Sequence, residues 1–215
     1  MAFHRKPSDM RRFYDGFHPW YRYVEGTTGR SVRRALDAID PRRERFAGDS
    51  VLEHCCGSGS LALAIADRCV SYRGRDQSEG MLGRARKRWK AAFGDDANPP
   101  FDRESVLDFA DPADSVDRVM IAFAIHLFPP SDELAMLEGF ANAARKSVVV
   151  VDHDLGFSPL LSLIEAVEGG WYEQYKKMDF AEWARINGLG FVDLDVGGAR
   201  VMEFSKESRA DRVRG

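Results

Sequence analysis

The sequence predicts a doubly wound α/β domain, in which helices cover both faces of a mostly parallel sheet. Segments with strand character alternate with segments of helical periodicity along most of the chain. The central strand-like segments are continuous apolar runs, the longest at residues 119–125, which is typical of parallel strands buried on both faces. A glycine pair at residues 197–198 separates the last two strand-like segments, and this predicts a hairpin that adds one antiparallel strand.

Seven strands are predicted, each where apolar or β-branched residues are bounded by polar or turn-forming ones. They lie at residues 50–54, 70–75, 101–106, 119–124, 148–151, 191–196 and 200–204. Because the central strands must be buried on both faces, we expect helices on both sides of this sheet.

Helices are predicted between these strands and before the first one. After residues 27–29, which can cap a helix, apolar residues follow the i, i+3, i+4, i+7 spacing until Pro41 ends the pattern. Ser78 and Ser131 are suited to begin two further helices. Pro19 divides an earlier, aromatic-rich segment into two short helices. Additional helices are predicted at residues 61–68, 157–167 and 180–186.

Composition and charge restrict the function classes. The 215 residues, 44% of them hydrophobic and 30% charged, are typical of one globular domain. With a formal net charge of −3 the chain has no overall basic field, so no nucleic-acid partner is expected. No apolar run approaches the roughly 20 residues of a membrane span. The three cysteines form no CxxC pair, which favours a reducing, cytoplasmic location.

We expect three parts within this single domain. Residues 1–47 would form an N-terminal helical cap or lid, residues 48–205 the α/β unit, and residues 206–215 a polar tail. Both a monomer and a homodimer are compatible with the sequence.

A glycine-containing loop follows the first predicted strand. Gly57 and Gly59 permit a tight turn and a close approach of the backbone to a ligand, and the N-terminus of the next helix adds free amides. Asp76 ends the second predicted strand, next to this loop in a doubly wound sheet. A carboxylate there can accept hydrogen bonds from both hydroxyls of a ribose, so the arrangement predicts a nucleoside ligand.

Three segments carry a resemblance to a known family. Class I S-adenosylmethionine-dependent methyltransferases have a first motif, V-L-[DE]-x-G-x-G-x-G, that resembles the segment VLEHCCGSGSLALAIA. Their second motif is similar to GRDQSEGMLGRARKR, and their fourth strand to DSVDRVMIAFAIHLFP. The resemblance covers residues 48–154, more loosely to residue 204, with distant similarity to the quinone and phospholipid branches. It implies a Rossmann-like fold, S-adenosylmethionine as cofactor and methyl transfer to a small-molecule acceptor.

The resemblance also implies roles for particular residues. Glu53 would hold a water molecule or the amino group of the methionine moiety, and Asp76 would bind the ribose. Cys55 stands at the first glycine position of the motif, as in the C-C-G-T-G of the ubiquinone and menaquinone C-methyltransferase branch. Ser105 stands where the family often has an adenine-contacting acid, with Asp108 as the alternative. The implied cofactor contacts are Glu53, Cys55, Gly57, Gly59, Asp76, Gln77, Met81, Ser105, Val106 and Ala122.

Three residues are candidates for the methyl-transfer step. His126 follows the fourth strand, where the family places residues that face the transferable methyl group, and it could take a proton from the acceptor. An equally good interpretation makes His126 a packing residue. His153 ends the fifth strand beside the same cleft. Tyr14 lies on the N-terminal aromatic segment, which would pack over the sheet, cover the site as a lid, or do both.

No metal site is predicted. Asp152, His153 and Asp154 end the fifth strand, but two acids and one histidine are too few to define a site. Alternation along the strand would also place His153 on the side opposite the two acids.

Two other functions are compatible with the sequence. Because a fold does not determine chemistry, the chain could bind S-adenosylmethionine without transferring its methyl group, or catalyse another reaction. Residues 172–176 also match the Y-x-x-x-K of short-chain dehydrogenases, which use a nicotinamide cofactor. The glycine spacing and the absence of a suitably placed serine disfavour that last interpretation.

Overall fold

A single sheet organises the chain. The computed structural model describes residue 4 and residues 6–108, 110–153 and 169–206. The strands within these ranges are β1 (Ser50–His54), β2 (Ser71–Asp76), β3 (Phe101–Arg103), β4 (Val116–Ala122), β5 (Ala144–His153), β6 (Leu189–Asp195) and β7 (Ala199–Lys206). Their order across the sheet is β3-β2-β1-β4-β5-β7-β6.

The direction of the strands confirms the predicted fold class. Strand β7 runs antiparallel to its neighbours β5 and β6, and the other pairings described are parallel. The sheet is therefore doubly wound and Rossmann-like, with one antiparallel strand. The strand order reverses between β1 and β4, so the carboxyl ends of these two strands form the crevice in which such sheets bind ligands.

Helices cover both faces of the sheet. They are α1 (Pro7–Phe17), α2 (Arg22–Ile39), α3 (Ala62–Ile65), α4 (Glu79–Phe93), α5 (Pro130–Ala143), α6 (Tyr172–Tyr175) and α7 (Phe180–Ile186). Each helix of the described ranges is too short or too polar to cross a bilayer.

The central strands contribute to two hydrophobic cores, one on each face. Val119 and Ile121 of β4 belong to the core that contains Phe140 of α5. Met120, between them, belongs to the core that contains Leu36 of α2. Successive side chains of a strand point to opposite faces, so this division accounts for the continuous apolar sequence of the strand.

A buried ionic network lies across the sheet at Arg118. Its guanidinium donates to Asp49 at 2.6 Å and to Glu203 at 3.0 Å. Lys146 forms a further ion pair with Asp49, and Arg45 forms one with Glu203. These contacts tie β4 and β5 to β7 and to the loop before β1.

Three boundaries differ from the sequence prediction. Helix α2 begins at Arg22, before the predicted cap at residues 27–29, because the hydroxyl of Thr28 donates to the carbonyl of Val24 inside the helix and does not cap a new one. Strand β3 ends at Arg103, since its partner β2 has already ended, and residues 106–108 form a 3-10 turn. Strand β4 ends before Phe123, whose φ of 51° cannot continue a strand.

Of the other predicted helices, strands and turns, some are confirmed, some differ in extent and some lie outside the described residues. The predicted break at Pro19 is confirmed, as are the capping of α4 by Ser78 and the hairpin turn at residues 197–198. The helix predicted at residues 61–68 is reduced to the single turn of α3, and β5 begins earlier than predicted, at Ala144. The helix predicted at residues 157–167 lies outside the described residues, as does the tail beyond residue 206.

Candidate active site

The loop after β1 has the backbone of a three-glycine motif although it contains two glycines. Cys55, Gly57 and Gly59 have φ values of 54°, 52° and 76°, all in the left-handed region that L side chains rarely adopt. Cys55, at the first glycine position of the motif that this loop resembles, therefore has a backbone conformation that favours glycine. The loop keeps its turn at this position, with a side chain where the motif has none.

Close neighbours leave little room for a side chain at either glycine of the loop. A Cβ atom on Gly57 would lie 3.3 Å from the Cε of Met81, and one on Gly59 would lie 3.2 Å from the ring of Phe101 and 3.3 Å from the Cβ of Ala85. Gly57 thus lets the loop approach α4, while Gly59 lets it pack between α4 and β3.

Asp76, at the end of β2, holds this loop in place. One carboxylate oxygen accepts a hydrogen bond from the backbone N–H of Gly57 at 2.8 Å, and the other accepts one from the N–H of Ser78 at 2.8 Å. Burial raises the pKa of Asp76 to about 6, the two amides oppose this rise, and the nearby carboxylate of Asp15 adds to it.

Glu53 provides a second acid at the end of β1. Its side chain is 1% exposed, and one of its oxygens accepts a hydrogen bond from the hydroxyl of Tyr72. Burial raises the pKa of Glu53 to about 8, against the effect of the Tyr72 hydrogen bond and with a contribution from Asp76. Two acids with raised pKa values therefore stand side by side at the carboxyl edge of the sheet.

A cavity of about 760 Å³, including its open mouth, lies over these acids. Its floor consists of the glycine loop, the end of β2 and the start of α4, and the segment after β4 forms one wall. Its roof comes from the N-terminal helices. The roof residues are Met10, Arg11, Tyr14, Tyr21, Thr28 and Val32.

The N-terminal helices are fastened to α4. Asp15 accepts hydrogen bonds from the hydroxyl of Ser78 at 2.6 Å and from the N–H of Gly80 at 3.3 Å. The carboxylate of Glu25 on α2 accepts hydrogen bonds from Nε and Nη2 of the Arg84 guanidinium, at 2.7 and 2.9 Å. The roof of the cavity is therefore held by contacts with the same helix that forms part of its floor.

The cavity brings together most of the residues expected to contact a cofactor. Those that line it are Glu53, Cys55, Gly57, Asp76, Gln77, Met81 and Ala122. Gly59 lies beneath α4, and Ser105 and Val106 lie at the 3-10 turn after β3, outside the cavity lining.

The three candidate catalytic residues occupy two places. Tyr14 lines the cavity roof. His126 and His153 lie behind the wall, where the ring of His153 is centred 4.9 Å from that of Phe123, a lining residue. A catalytic role for these two histidines stays a prediction, because a lining residue separates them from the cavity.

The carboxylate of Asp152 joins the two histidines. Its Oδ1 lies 2.6 Å from the Nδ1 of His126 and accepts a hydrogen bond from the backbone N–H of His153 at 2.7 Å. The ligand atoms of all three side chains lie within 4.8 Å of one another. This corrects the expectation that His153 lies away from Asp152; Asp154 lies outside the described residues.

Several site residues were missed by the sequence interpretation. Arg11 and Tyr14 are three residues apart on α1 and line the cavity together, so the i, i+3 spacing could have identified Arg11. Glu133 gave no such signal, because the groups near it come from distant segments of the chain.

The strand order and the position of the glycine loop are those of a Rossmann-like methyltransferase fold, as predicted. Residues 51–147 match the family described as a methyltransferase domain. No curated protein sequence is significantly similar to the chain.

Solved structures share the fold. Magnesium protoporphyrin IX methyltransferase from Synechocystis PCC 6803, with bound S-adenosylmethionine, is 17% identical with a TM-score of 0.66, and the match covers 96% of this chain and all (100%) of that one. The same enzyme with bound S-adenosylhomocysteine is 19% identical with a TM-score of 0.68, and the match covers 94% of this chain and 100% of that one. An S-adenosylmethionine-dependent methyltransferase from Aquifex aeolicus is 15% identical with a TM-score of 0.59, and the match covers 94% of this chain and 98% of that one.

Proposed function

We propose that the protein transfers a methyl group from S-adenosylmethionine to a small-molecule acceptor in the cavity described above. One observation carries the proposal: the glycine loop, Asp76 and the N-terminal helices line a single cavity. The floor would hold the cofactor, and the roof would hold the acceptor against it.

The residues of the floor suit S-adenosylmethionine. Asp76 uses one lone pair of each oxygen for a backbone amide, which leaves acceptor capacity for the two ribose hydroxyls. Glu53 is a buried acid with a raised pKa, so a cationic amino group beside it would favour its ionised form. Gln77 and Met81 line the cavity next to Asp76, where they would flank the adenine.

The chemical step asks mainly for alignment of the acceptor. S-adenosylmethionine supplies a methyl group already activated on a sulfonium, so displacement needs a nucleophile held in line with it. We propose that Tyr14 orients the acceptor from the cavity roof, and that His126, with His153 beside it, receives a proton when the acceptor carries one.

The size and lining of the cavity support a small-molecule acceptor. The roof includes the aromatic side chains of Tyr14 and Tyr21 and the cation of Arg11. Such a lining suits a compact, partly apolar molecule. One structural neighbour, magnesium protoporphyrin IX methyltransferase, bears the name of a small-molecule substrate. A cytoplasmic location and a monomeric or homodimeric state are proposed with this function.

Calorimetric titration of the full chain with S-adenosylmethionine and S-adenosylhomocysteine tests the cofactor half. We expect saturable binding of one molecule per chain, weakened about 10- to 100-fold by Asp76→Ala because hydrogen bonds to a charged group are lost. Asp102→Ala is the matched control, since that acid on β3 pairs only with the exposed Arg73 among the described residues. Absence of binding by either nucleoside would contradict the proposal, and binding of NADH in their place would favour the oxidoreductase.

Formation of S-adenosylhomocysteine tests the acceptor half. A panel of small phenols, amines, thiols and carboxylic acids is offered with S-adenosylmethionine, and product formation is measured. We expect turnover with at least one class and a loss of rate in Tyr14→Phe. Cofactor binding without turnover of any class would favour a non-methylating S-adenosylmethionine-binding protein.

A further inference from the structure

A cluster of titratable side chains lies behind the cavity wall, between the segment after β4, the end of β5 and the start of α5. Two imidazoles and one carboxylate, from His126, His153 and Asp152, offer ligand atoms within 4.8 Å of one another. His126 and Asp152 are 1% and 0% exposed. The cluster therefore consists of nitrogen and oxygen donors that are largely withdrawn from water.

The carboxylates of this region are incompletely satisfied. Among the residues that the structure describes, Asp152 Oδ2 has no hydrogen-bond partner, and Glu133, which is 0% exposed, has none on either oxygen. Glu133 is close enough to interact electrostatically with both Asp152 and His126. Among the described residues no arginine or lysine pairs with either acid. Burying such groups without a partner is unfavourable, so a missing cation would explain the arrangement.

The spacing of the donors is compatible with a single bound ion. Histidine and carboxylate ligands lie about 2.0–2.2 Å from a divalent transition metal, so two ligands of one ion are at most about 4.4 Å apart. The ligand atoms lie within 4.8 Å of one another, so side-chain shifts of a few tenths of an ångström are enough to bring them into that range.

We propose that His126, Asp152 and His153 bind one divalent first-row transition-metal ion of the Zn²⁺ type, with Glu133 as the neighbouring carboxylate that orients the ligands. Two imidazoles and one carboxylate suit such ions, whereas Mg²⁺ and Ca²⁺ prefer oxygen ligands. The ion would sit one side chain from the cavity, behind Phe123. An imidazole bound to a metal cannot also take up a proton, so an ion at this site would replace the proton-accepting role proposed for His126. Metal binding does not require the cofactor, so it can be tested separately from the proposed function.

The test is a titration of the chelator-treated full chain with Co²⁺, a spectroscopic probe, and with Zn²⁺ by calorimetry. We expect one ion per chain, a rise in unfolding temperature on binding, and no competition from Mg²⁺. Absorption should show no sulfur-to-cobalt charge transfer, since burial raises the pKa of the Cys55 and Cys56 thiols and disfavours thiolate ligands.

Three variants and a control assign the ligands. His153→Gln and Asp152→Asn should weaken Zn²⁺ binding by more than about 100-fold, and Glu133→Gln by about 10- to 100-fold, as expected for an outer residue that orients a ligand. His18→Gln, outside the cluster, should leave the affinity unchanged. X-ray absorption of Zn²⁺ bound to the unaltered chain reports the donors even where a variant fails to fold.

The proposal is overturned by any of three results. These are the absence of stoichiometric binding, a sulfur ligand in the absorption spectrum, and an affinity unaffected by His153→Gln in a folded variant. Two nitrogen donors of imidazole type and an oxygen donor around the ion would support it.

Discussion

Asp76 and Gly57 are joined by a hydrogen bond of 2.8 Å, from the backbone N–H of the glycine to the carboxylate at the end of the neighbouring strand. The other oxygen of Asp76 accepts from the N–H of Ser78, the N-cap of α4. One acid therefore fixes the glycine loop, the end of β2 and the start of α4 relative to one another. The residue expected to bind the ribose is also the residue that shapes the surface beneath the nucleoside.

Loss of the Asp76 carboxylate should loosen the loop even without a cofactor. In Asp76→Ala the N–H groups of Gly57 and Ser78 lose their acceptor, so we expect faster hydrogen exchange at these two amides. Exchange in the strands of the sheet should change little, and Asp102→Ala should leave both amides as they are. Unchanged protection at Gly57 in a folded Asp76→Ala protein would show that the loop is held by other contacts.

Cofactor binding should release a proton from Glu53. Its pKa of about 8 in the free protein leaves the acid mostly protonated at pH 7, and the cationic amino group of S-adenosylmethionine favours the carboxylate. Up to about 0.9 proton should leave this group at pH 7. The measurement is the binding enthalpy in buffers of different ionisation enthalpy, whose slope gives the number of protons. Glu53→Gln should lower that slope, and an equal slope in both proteins would exclude Glu53 as the source.

The features that could be predicted from the sequence are mainly those fixed by contacts between residues close together in the chain. The cap at Ser78 and the turn at residues 197–198 rest on neighbours in the chain, and both were predicted. The position of Asp76 beside the loop after β1 was predicted because the second strand and this loop obey a general rule of doubly wound sheets. The left-handed φ of Cys55 could be inferred only from the family motif, since cysteine has no preference for it.

Contacts between distant segments could not be predicted in this way. His126 and Asp152 meet because β4 and β5 are neighbours and end at the same edge of the sheet. The hydrophobic pattern of the sequence does not specify the register between these two strands. Glu133 is a further case, since an acid in the first turn of a helix is ordinarily solvated and favourable. The predicted start of α2 was wrong because the hydroxyl of a threonine can hydrogen-bond to a carbonyl inside a helix as well as cap the start of one.

Two glycines of α4 form a matched pair that tests the fastening of the N-terminal helices. A Cβ atom on Gly80 would lie 2.7 Å from Nδ1 of His18, whereas nothing lies within 4 Å of one on Gly83. We expect Gly83→Ala to raise the free energy of unfolding by about 0.5–1 kcal/mol through helix propensity. Gly80→Ala should show no such gain and should increase proteolysis of the N-terminal helices. Equal stabilisation by both changes would contradict the close packing of His18 on Gly80.

The buried network at Arg118 should contribute far more stability than an exposed pair. In Arg118→Met, Asp49 and Glu203 remain buried but keep Lys146 and Arg45 as partners. We expect a loss of about 3 kcal/mol, the low end for a broken buried pair. Arg73→Met is the control, because its ion pair with Asp102 is exposed and should contribute less than about 1 kcal/mol. The measurement is the free energy of unfolding in urea for both variants. Similar losses of stability in the two would contradict the larger contribution expected from Arg118.

A crystal structure of the complex with S-adenosylhomocysteine tests the central claim most directly. We predict the ribose hydroxyls about 3 Å from the carboxylate of Asp76, the adenine between Gln77 and Met81, and the sulfur facing the roof that contains Tyr14. A nucleoside bound elsewhere, or a ribose without contact to Asp76, would contradict the account.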